Sequence, residues 1–510
     1  MKKKILCLIL AVTAIGCLFG CSEIAVQSVS MPSAANVLVG DTYQLQATVS
    51  PSDATSKKLE WSSSDEAVAT VSDSGLVIGV AEGEAVITAA SIFGPSATCT
   101  VKVIANPLPE GVTNLIVNGT TKAEYTSLAA AVEEAQAGDI LGIAPGSYFG
   151  AIVVDKSLTL IGSGASSTSL TVNENENAIS VADGVLLDIR KLTVNVSGTG
   201  RGINPVNSDA SLCDTTILLS EAVIRYGQTG RGISLGTDSD TYNNHITLNA
   251  SYILCTDANG SSNVNNRGIS FYGSADSSLT LVDSEVSAGH YALTLNSPAL
   301  KVEIKNSKLT GFAALNIHNS GSEITVDGST LVGRTFWSYP SNVYAAVVCD
   351  TASDTTLRIT NSVIANEFSG EKANSYEMGI QIRNTGNKLY LDSQTYEGMI
   401  SSNHAYAPNM VESVAGNEWY VDGELQAPIY IDYFVSAQNG TAQASGWYPA
   451  EPCLTIEAAV AKAQADLASG AEAVTIYVYA GEYETADGQL PVIEGILFLL
   501  DEGVTFTAAA

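Results

Sequence analysis

Three Arg-Gly-Ile triplets carry basic groups at repeated positions in an acidic chain. They begin at Arg201, Arg231 and Arg267, while the whole sequence has 53 Asp and Glu against 23 Lys and Arg. Stacked like charges repel, so arginines at equivalent positions of a repeat need acidic partners. Those partners could come from the protein itself. They could also come from a ligand, because guanidinium groups bind the planar oxyanions of uronate, sulfate or phosphate groups.

The stretch "GRTFWSYPSNVY" is a second candidate for ligand binding. It contains Trp337 and Tyr339, whose aromatic faces can pack on sugar rings, and functional contacts often lie on loops that a rigid scaffold holds. A small hydrophobic cluster formed within the loop itself would explain the same residues.

A repeat spaces these groups along the chain. Eight apolar positions, separated by 22 to 36 residues, each follow a Gly or Ala, as expected where a tight corner leaves no room for a larger side chain: Ile179, Ile203, Ile233, Ile269, Leu293, Leu315, Val347 and Ile380. A second set marks one turn residue per repeat: Lys191, Glu221, Ala250, Asp283, Asn306, Gly328, Asn361 and Ser393. Together they predict a solenoid whose coils contain parallel strands.

Composition and the N-terminus narrow the class of protein. The 45% of hydrophobic and 15% of charged residues favour a strand-rich globular or solenoid protein, and the formal charge of -30 disfavours nucleic-acid binding. Residues 1–20 read as a signal peptide. Their end, "LFGC", resembles a bacterial lipobox, which implies lipid attachment to Cys21, a membrane contact through that anchor alone, and exposure outside the cell envelope.

Residues 21–105 alternate apolar and polar side chains in short runs separated by turn residues, as strands of a β-sandwich do. The segment, including "WSSSD" from Trp61, closely resembles the group 2 bacterial Ig-like domain. That resemblance implies a sandwich used as a spacer or binding module. Residues 105–111 form the predicted linker.

Residues 112–427 begin with a short helical pattern and "PGSY" at Pro145, then continue as the repeat. They resemble the pectin-lyase-like right-handed parallel β-helix. In residues 428–510, "IEAAVAKAQ" and "AGEY" match "LAAAVEEAQ" and "PGSY". This tail is therefore a partial second β-helix start, which either caps the first β-helix or is a remnant of another. The predicted fold class is all-β throughout.

In that family the substrate groove follows the outer face of the sheet that contains the aligned apolar positions. The residues directly after those positions include no carboxylate, His, Lys or Arg, which counts against acid/base catalysis there. Two residues further along, His318, Asp350 and Arg383 fall on successive coils. They could form a catalytic or calcium-linked site, or simply an ion-pair ladder on the surface.

No cofactor is assigned from the sequence. The acidic stretches 173–177 and 237–240 could bind Ca²⁺, but neither has EF-hand spacing, and no metal ligand set is predicted. Of the scattered cysteines, Cys255 and Cys349 follow inward positions by two residues, so both are expected in the core.

The function expected from these patterns is a noncatalytic, adhesin-like surface lipoprotein whose β-helix binds a polysaccharide or another surface ligand. The alternative is a polysaccharide lyase or glycoside hydrolase of the pectin-lyase-like superfamily. A purely structural surface component without small-ligand specificity is a third interpretation.

Overall fold

The computed structural model describes residues 24–508 except 46, 52–53, 93, 207–212, 236–242, 257–265, 273–276, 319, 336–343, 350, 369–376, 402–410, 415, 427–432, 439, 442–451, 469–473 and 502. The chain divides into two compact units, Met1–Asn106 and Pro107–Ala510. Within the described ranges, no helix has the length and apolar character needed to cross a membrane.

The first unit contains two main β-sheets and a strand pair around one core. The four-stranded sheet orders its strands as Ala34–Leu38, Ser96–Ile104, Gly83–Ser91 and Leu59–Ser63, the three-stranded sheet as Thr42–Gln44, Leu76–Gly79 and Ala69–Val71, and Ser28–Ser30 pairs with Thr48–Ser50. Alternation places Ile87, Cys99 and Val101 inside with no exposure. The sandwich expected from the sequence is confirmed.

Three long sheets build the second unit, and each coil contributes one strand to each sheet in turn. Sheet A consists of Glu124–Tyr125, Ile116–Asn118, Ile140–Ile143, Leu158–Gly162, Leu186–Arg190, Thr216–Ser220, His245–Asn249, Ser278–Val282, Lys301–Lys305, Glu323–Asp327, Thr356–Thr360, Lys388–Leu391, Glu418–Val421 and Glu424–Gln426. Sheet B consists of Gly146–Phe149, Thr168–Thr171, Thr193–Asn195, Val223–Tyr226, Tyr252–Cys255, Glu285–Ser287, Lys308–Gly311, Thr330–Thr335, Val363–Phe368 and Ile400–Ser401. Sheet C consists of Ile152–Val154, Ile179–Val181, Arg201–Pro205, Arg231–Leu235, Arg267–Tyr272, Tyr291–Asn296, Ala313–Ile317, Tyr344–Cys349, Glu377–Ile382 and Val411–Ser413.

From Ile140 to Val421 the neighbouring strands of these sheets are parallel, so the second unit is a parallel β-helix, right-handed as such crossovers are. The aligned apolar positions pair with one another in register, for example Ile203 with Ile233 and Ile233 with Ile269. Antiparallel pairs end sheet A on both sides. Cys255 and Cys349 are buried as predicted, and burial raises the pKa of the Cys349 thiol to about 12.

The second predicted set is also confirmed as turn residues. Seven of the eight have positive φ angles between 45° and 58°, the left-handed region: Lys191, Glu221, Ala250, Asp283, Asn306, Gly328 and Asn361. The eighth, Ser393, instead begins the helix Ser393–Glu397, which Asp392 caps. The helix replaces the left-handed turn at that coil.

Residues 433–508 repeat the start of the β-helix in miniature. The helix Leu128–Glu134 has its counterpart in Ile456–Ala468. In both copies a buried tyrosine hydroxyl donates to the carbonyl four residues earlier: Tyr148 to Ala144 at 2.9 Å and Tyr483 to Tyr479 at 2.8 Å. The remaining strands of this C-terminal segment are Tyr433–Val435, Val474–Val478 and Ile496–Leu500 in one sheet, and Gly481–Thr485 with Val504–Ala508 in another.

Candidate functional site

The three arginines lie side by side on sheet C. Arg201 pairs in register with Arg231, and Arg231 with Arg267, while Tyr291 occupies the same position on the next strand. Neighbouring strands lie about 4.8 Å apart, so the guanidinium groups are stacked along the β-helix axis. All three side chains are half-buried. We call Arg201, Arg231 and Arg267 the arginine row.

Hydrogen bonds hold each guanidinium against its own strand. The Nη1 atoms donate to uncharged side chains: Arg201 to Asn204 Oδ1, Arg231 to Ser234 Oγ at 3.3 Å, and Arg267 to the Tyr272 hydroxyl at 2.6 Å. Fixed guanidinium groups lose less conformational entropy when a ligand binds than free side chains do.

The arginines also act on one another electrostatically. Burial, together with the charges of Arg201 and Arg267, lowers the pKa of Arg231 to about 10. Burial lowers the pKa of Arg201 as well. The protonated arginine row is thus under mutual repulsion, which an oxyanion placed beside it would offset.

Next to the arginine row runs the row of residues that directly follow the aligned apolar positions. Their place in the sequence predicts that they line the centre of a groove. The structure instead buries most of them to 1% exposure or less: Asn204, Ser234, Ser270, Thr294, Asn316 and Gln381. Ser270 and Thr294 pair in register, and both hydroxyls are buried without a hydrogen-bond partner among the described residues. Sequence alternation predicts which way a side chain points but not what covers it.

His290 is a residue of this region that the sequence did not single out. It is 6% exposed, stacks on Phe312 with 5.2 Å between ring centroids, and lies 3.8 Å from the Tyr291 ring. Its Nδ1 is buried and has no hydrogen-bond partner in the part of the chain that the structure describes. Burial, with a smaller contribution from the Arg267 charge, lowers the pKa of His290 to about 4. It is therefore neutral at physiological pH. In the sequence, His290 is marked only by its position directly before the sheet C strand Tyr291–Asn296.

The C-terminal segment packs against sheet C at the strand Tyr344–Cys349. Phe434 and Tyr477 form a buried apolar cluster with Ala345, and Val348 packs against the cluster. Ala345 and Val348 lie on sheet C, outside the main core. The segment thus has its own core and also packs on the flank of the first β-helix. Whether it is a cap on the first β-helix or a remnant of a second one stays a prediction.

Several predicted site residues lie outside the described part of the chain: Cys21, Trp337, Tyr339 and Asp350. His318 and Arg383 are described and half-buried, each directly after a sheet C strand. Asn316 Nδ2 donates to His318 Nε2 at 2.9 Å. The backbone N–H of Arg383 donates to Cys349 O at 2.9 Å. The proposed His-Asp-Arg row remains a prediction.

The acidic stretch 173–177 makes hydrogen bonds within the protein. In residues 173–177, Glu176 Oε2 accepts from the Asn173 side chain at 3.1 Å, and Asn175 Oδ1 accepts from the backbone N–H of Thr199 at 2.9 Å. Among the described residues, no group of three His, Cys, Asp or Glu side chains is arranged to hold a metal ion. Residues 237–240 lie outside them.

Comparison with known proteins identifies the first unit. Residues 25–101 match the bacterial Ig-like domain (group 2) family. The chain is also similar to 3-O-alpha-D-galactosyl-alpha-L-arabinofuranosidase of Bifidobacterium longum subsp. longum, with 42% identity over 77 residues. This match covers 15% of the present chain and 7% of that enzyme. The chain covers 7% to 24% of the curated relatives that it matches.

Among solved structures, the chain is similar to the family 28 exopolygalacturonase of Yersinia enterocolitica, with 10% identity, a TM-score of 0.34, and coverage of 95% of this chain and 100% of that one. It is also similar to the mannuronan C-5 epimerase AlgE6 A-module of Azotobacter vinelandii, with 12% identity, a TM-score of 0.26, and coverage of 59% and 93%. The fold assignment rests on the strand pairing given above. The protein combines a group 2 bacterial Ig-like domain with a parallel β-helix.

Proposed function

We propose that this protein is a lipid-anchored component of the bacterial cell surface that binds acidic polysaccharide, without cleaving it, along sheet C of its β-helix. The observation that carries the proposal is the arginine row, three guanidinium groups in register on adjacent strands. Lipidation at Cys21 and display outside the envelope belong to the same proposal and are inferred from the N-terminal sequence alone.

An acidic polymer suits this arrangement for two physical reasons. Its carboxylate or sulfate groups repeat along the chain, so several can face the stacked guanidinium groups at once and relieve their mutual repulsion. Tyr291, which continues the arginine row on the next strand, offers an aromatic face beside it. Charged contacts of this kind weaken as salt screens them.

A noncatalytic role is proposed because the side chains that accept hydrogen bonds from Arg201 and Arg231, those of Asn204 and Ser234, are an amide and a hydroxyl, whereas acid/base chemistry needs titratable groups. The alternative is a lyase or hydrolase. It is tested by incubating the protein with polygalacturonate and following both unsaturated products by ultraviolet absorbance and new reducing ends. Product formation that is lost in His318→Ala would replace the binding proposal with the enzymatic one.

The binding proposal predicts that Arg231→Gln lowers the affinity of the protein for polygalacturonate. Arg231 is the central member of the arginine row, and its removal takes away one set of charge-assisted bonds, so affinity should fall about tenfold or more. The affinity is measured by isothermal titration calorimetry at low and high salt. It should depend less on salt in the variant than in the unchanged protein.

Arg225→Gln is the matched control, because Arg225 is an exposed arginine of the same coil on sheet B. Its affinity should change by less than about twofold. Equal losses in the two variants would mean that binding follows net charge alone and would contradict the arginine row as the site.

A further inference from the structure

The positions of the arginine row continue onto later strands of sheet C. Tyr291, which follows the arginine row in register, pairs with Ala313 on the next strand. Ala345 holds the same position one strand further, because Leu315 pairs with Val347 and each alanine lies two residues before its member of that pair. Neighbouring strands lie about 4.8 Å apart, so Ala345 lies about 10 Å beyond Tyr291 along the β-helix axis.

The C-terminal segment closes this line of positions at Ala345. The side chains of Phe434 and Tyr477 form a cluster with Ala345 in which no member is more than 4% exposed. Ala345 belongs to this cluster and not to the core of the β-helix, so its methyl group faces outward. Ala313 is also closed, with 1% exposure. Aromatic rings packed on an outward methyl group fill the space directly above it, which leaves no room there for a saccharide.

The opposite end of the same line is open. Asn177 holds the position before Arg201, and Gly150 holds the position before Asn177. A Cβ added at Gly150 would have no atom of the described residues within 4 Å, apart from those of its chain neighbours. Phe149 beside it is 73% exposed. A polymer that lies along the arginine row can therefore continue past Asn177.

Between these two ends the side chains are partly accessible. The members of the arginine row, Tyr291 and Asn177 are all half-buried, in contrast to Ala313 and Ala345. From Arg201 to Tyr291 the line crosses three strand spacings, which is about 14 Å. The closed end is thus preceded by one aromatic ring and then by three guanidinium groups, and the line continues from these groups to the open end.

The difference between the two ends determines which part of a polymer can bind, given the proposed function on which this inference rests. A polymer bound through its interior would continue in both directions, and beyond Tyr291 it would overlap the rings of Phe434 and Tyr477. Packed side chains do not absorb such overlaps without movement of the backbone. We infer that the protein binds the terminus of an acidic polysaccharide. The terminal sugar lies against Tyr291, and the acidic groups of the preceding sugars face the arginine row.

The number of protein molecules bound per saccharide chain tests this inference. The full chain is titrated by calorimetry with two polygalacturonate fragments of uniform length, one that spans the arginine row and one several times longer. Binding at a terminus gives one protein per saccharide chain with both fragments. Binding along the interior gives a number that rises with the length of the fragment. A rise in the unchanged protein would overturn the inference while leaving the proposed function in place.

Removal of the two aromatic rings should open the closed end. Phe434→Ala combined with Tyr477→Ala should let more than one protein bind each long fragment, and circular dichroism checks that this variant is folded. Leu497→Ala is the matched control and should keep one protein per chain, because Leu497 is an apolar residue of the same segment that is 56% exposed and lies outside the cluster on Ala345. One protein per chain in the folded double variant would also overturn the inference. No binding of either fragment by the unchanged protein would instead contradict the proposed function and, with it, this inference.

Discussion

Individual glycines inside three strands of sheet C show why these coils need a residue without a side chain directly before the aligned apolar position. A Cβ added at Gly232 would lie 2.2 Å from Ile253 Cγ2 and 2.6 Å from the carbonyl oxygen of Gly268. The same conflict arises at Gly202 and Gly268 with their own neighbours. Protein interiors cannot absorb overlaps of that size without moving the backbone. Glycine is therefore a packing requirement directly after each member of the arginine row.

His290 predicts a pH dependence of stability. Its folded pKa of about 4 lies below its ordinary value of 6.5, so the folded state binds its proton less readily than the unfolded state. The contribution of neutral His290 to the free energy of unfolding is complete above about pH 6.5 and is lost as the pH falls toward about 4. Urea unfolding at pH 7 and pH 4.5 should show about 2 to 3 kcal/mol more acid destabilisation in the unchanged protein than in His290→Phe.

His290→Phe is the suitable comparison because it keeps an aromatic ring against Phe312 while removing the titrating group. Losses from other groups occur in both proteins and cancel in the difference. An identical pH response in the two proteins would show that His290 is not held neutral by the fold.

At the scale of elements, the coils are joined by hydrogen bonds between successive turns. The hydroxyl of each turn serine accepts from the backbone N–H of the preceding coil: Ser284 N to Ser307 Oγ, Ser307 N to Ser329 Oγ, and Ser329 N to Ser362 Oγ, at 3.0 to 3.1 Å. Thr395 ends the series by accepting from Ser362 N at 3.0 Å. Buried turns thereby satisfy backbone groups that no strand pairs.

Ser307→Ala should destabilise the β-helix by about 1 to 3 kcal/mol, since it leaves the buried N–H of Ser284 without its acceptor. Chemical unfolding monitored by circular dichroism gives the value. Ser307→Thr keeps the hydroxyl, and Thr395 shows that a threonine fits this ladder, so it should cost much less. If the alanine and threonine variants were equally stable, the ladder would have no energetic role.

The sequence located these turns but not the ladder itself. Asn306 and Asn361 were recognised as bend residues, and both adopt left-handed conformations because asparagine tolerates them. The bonds between coils, however, are made one residue later, by Ser307 and Ser362. A one-residue difference in a turn changes which side chain faces inward, and residue types alone do not fix that direction.

The burial of Ser270, Thr294 and His290 was hidden from sequence analysis for a related reason. The alternation and types of residues identify the face of a strand on which a side chain lies. Whether that face is buried depends on segments that are far away in the chain. The packing of Phe434 on Ala345, residues 89 positions apart, is an example. The register of the arginine row was predictable because it depends only on the repeat.

At the scale of the whole molecule, the two compact units each have a core of their own, one around Ile87 and Val101 and the other along the β-helix. Units with separate cores can unfold separately. Calorimetry should therefore resolve two transitions. Ile87→Ala should lower the transition temperature of the first unit, because the cavity it leaves destabilises that unit by about 2 to 5 kcal/mol. Leu281→Ala should lower the transition temperature of the second unit only.

The tryptophans assign the transitions, because Trp61 is the only one in the first unit and Trp419 packs in the core of the second. Fluorescence of a Trp61→Phe variant should then follow the second unit alone. If Ile87→Ala shifted both transitions equally, the two cores would be energetically coupled and the protein would unfold as one body. Independent transitions would instead allow changes at the arginine row to be studied without disturbing the Ig-like domain.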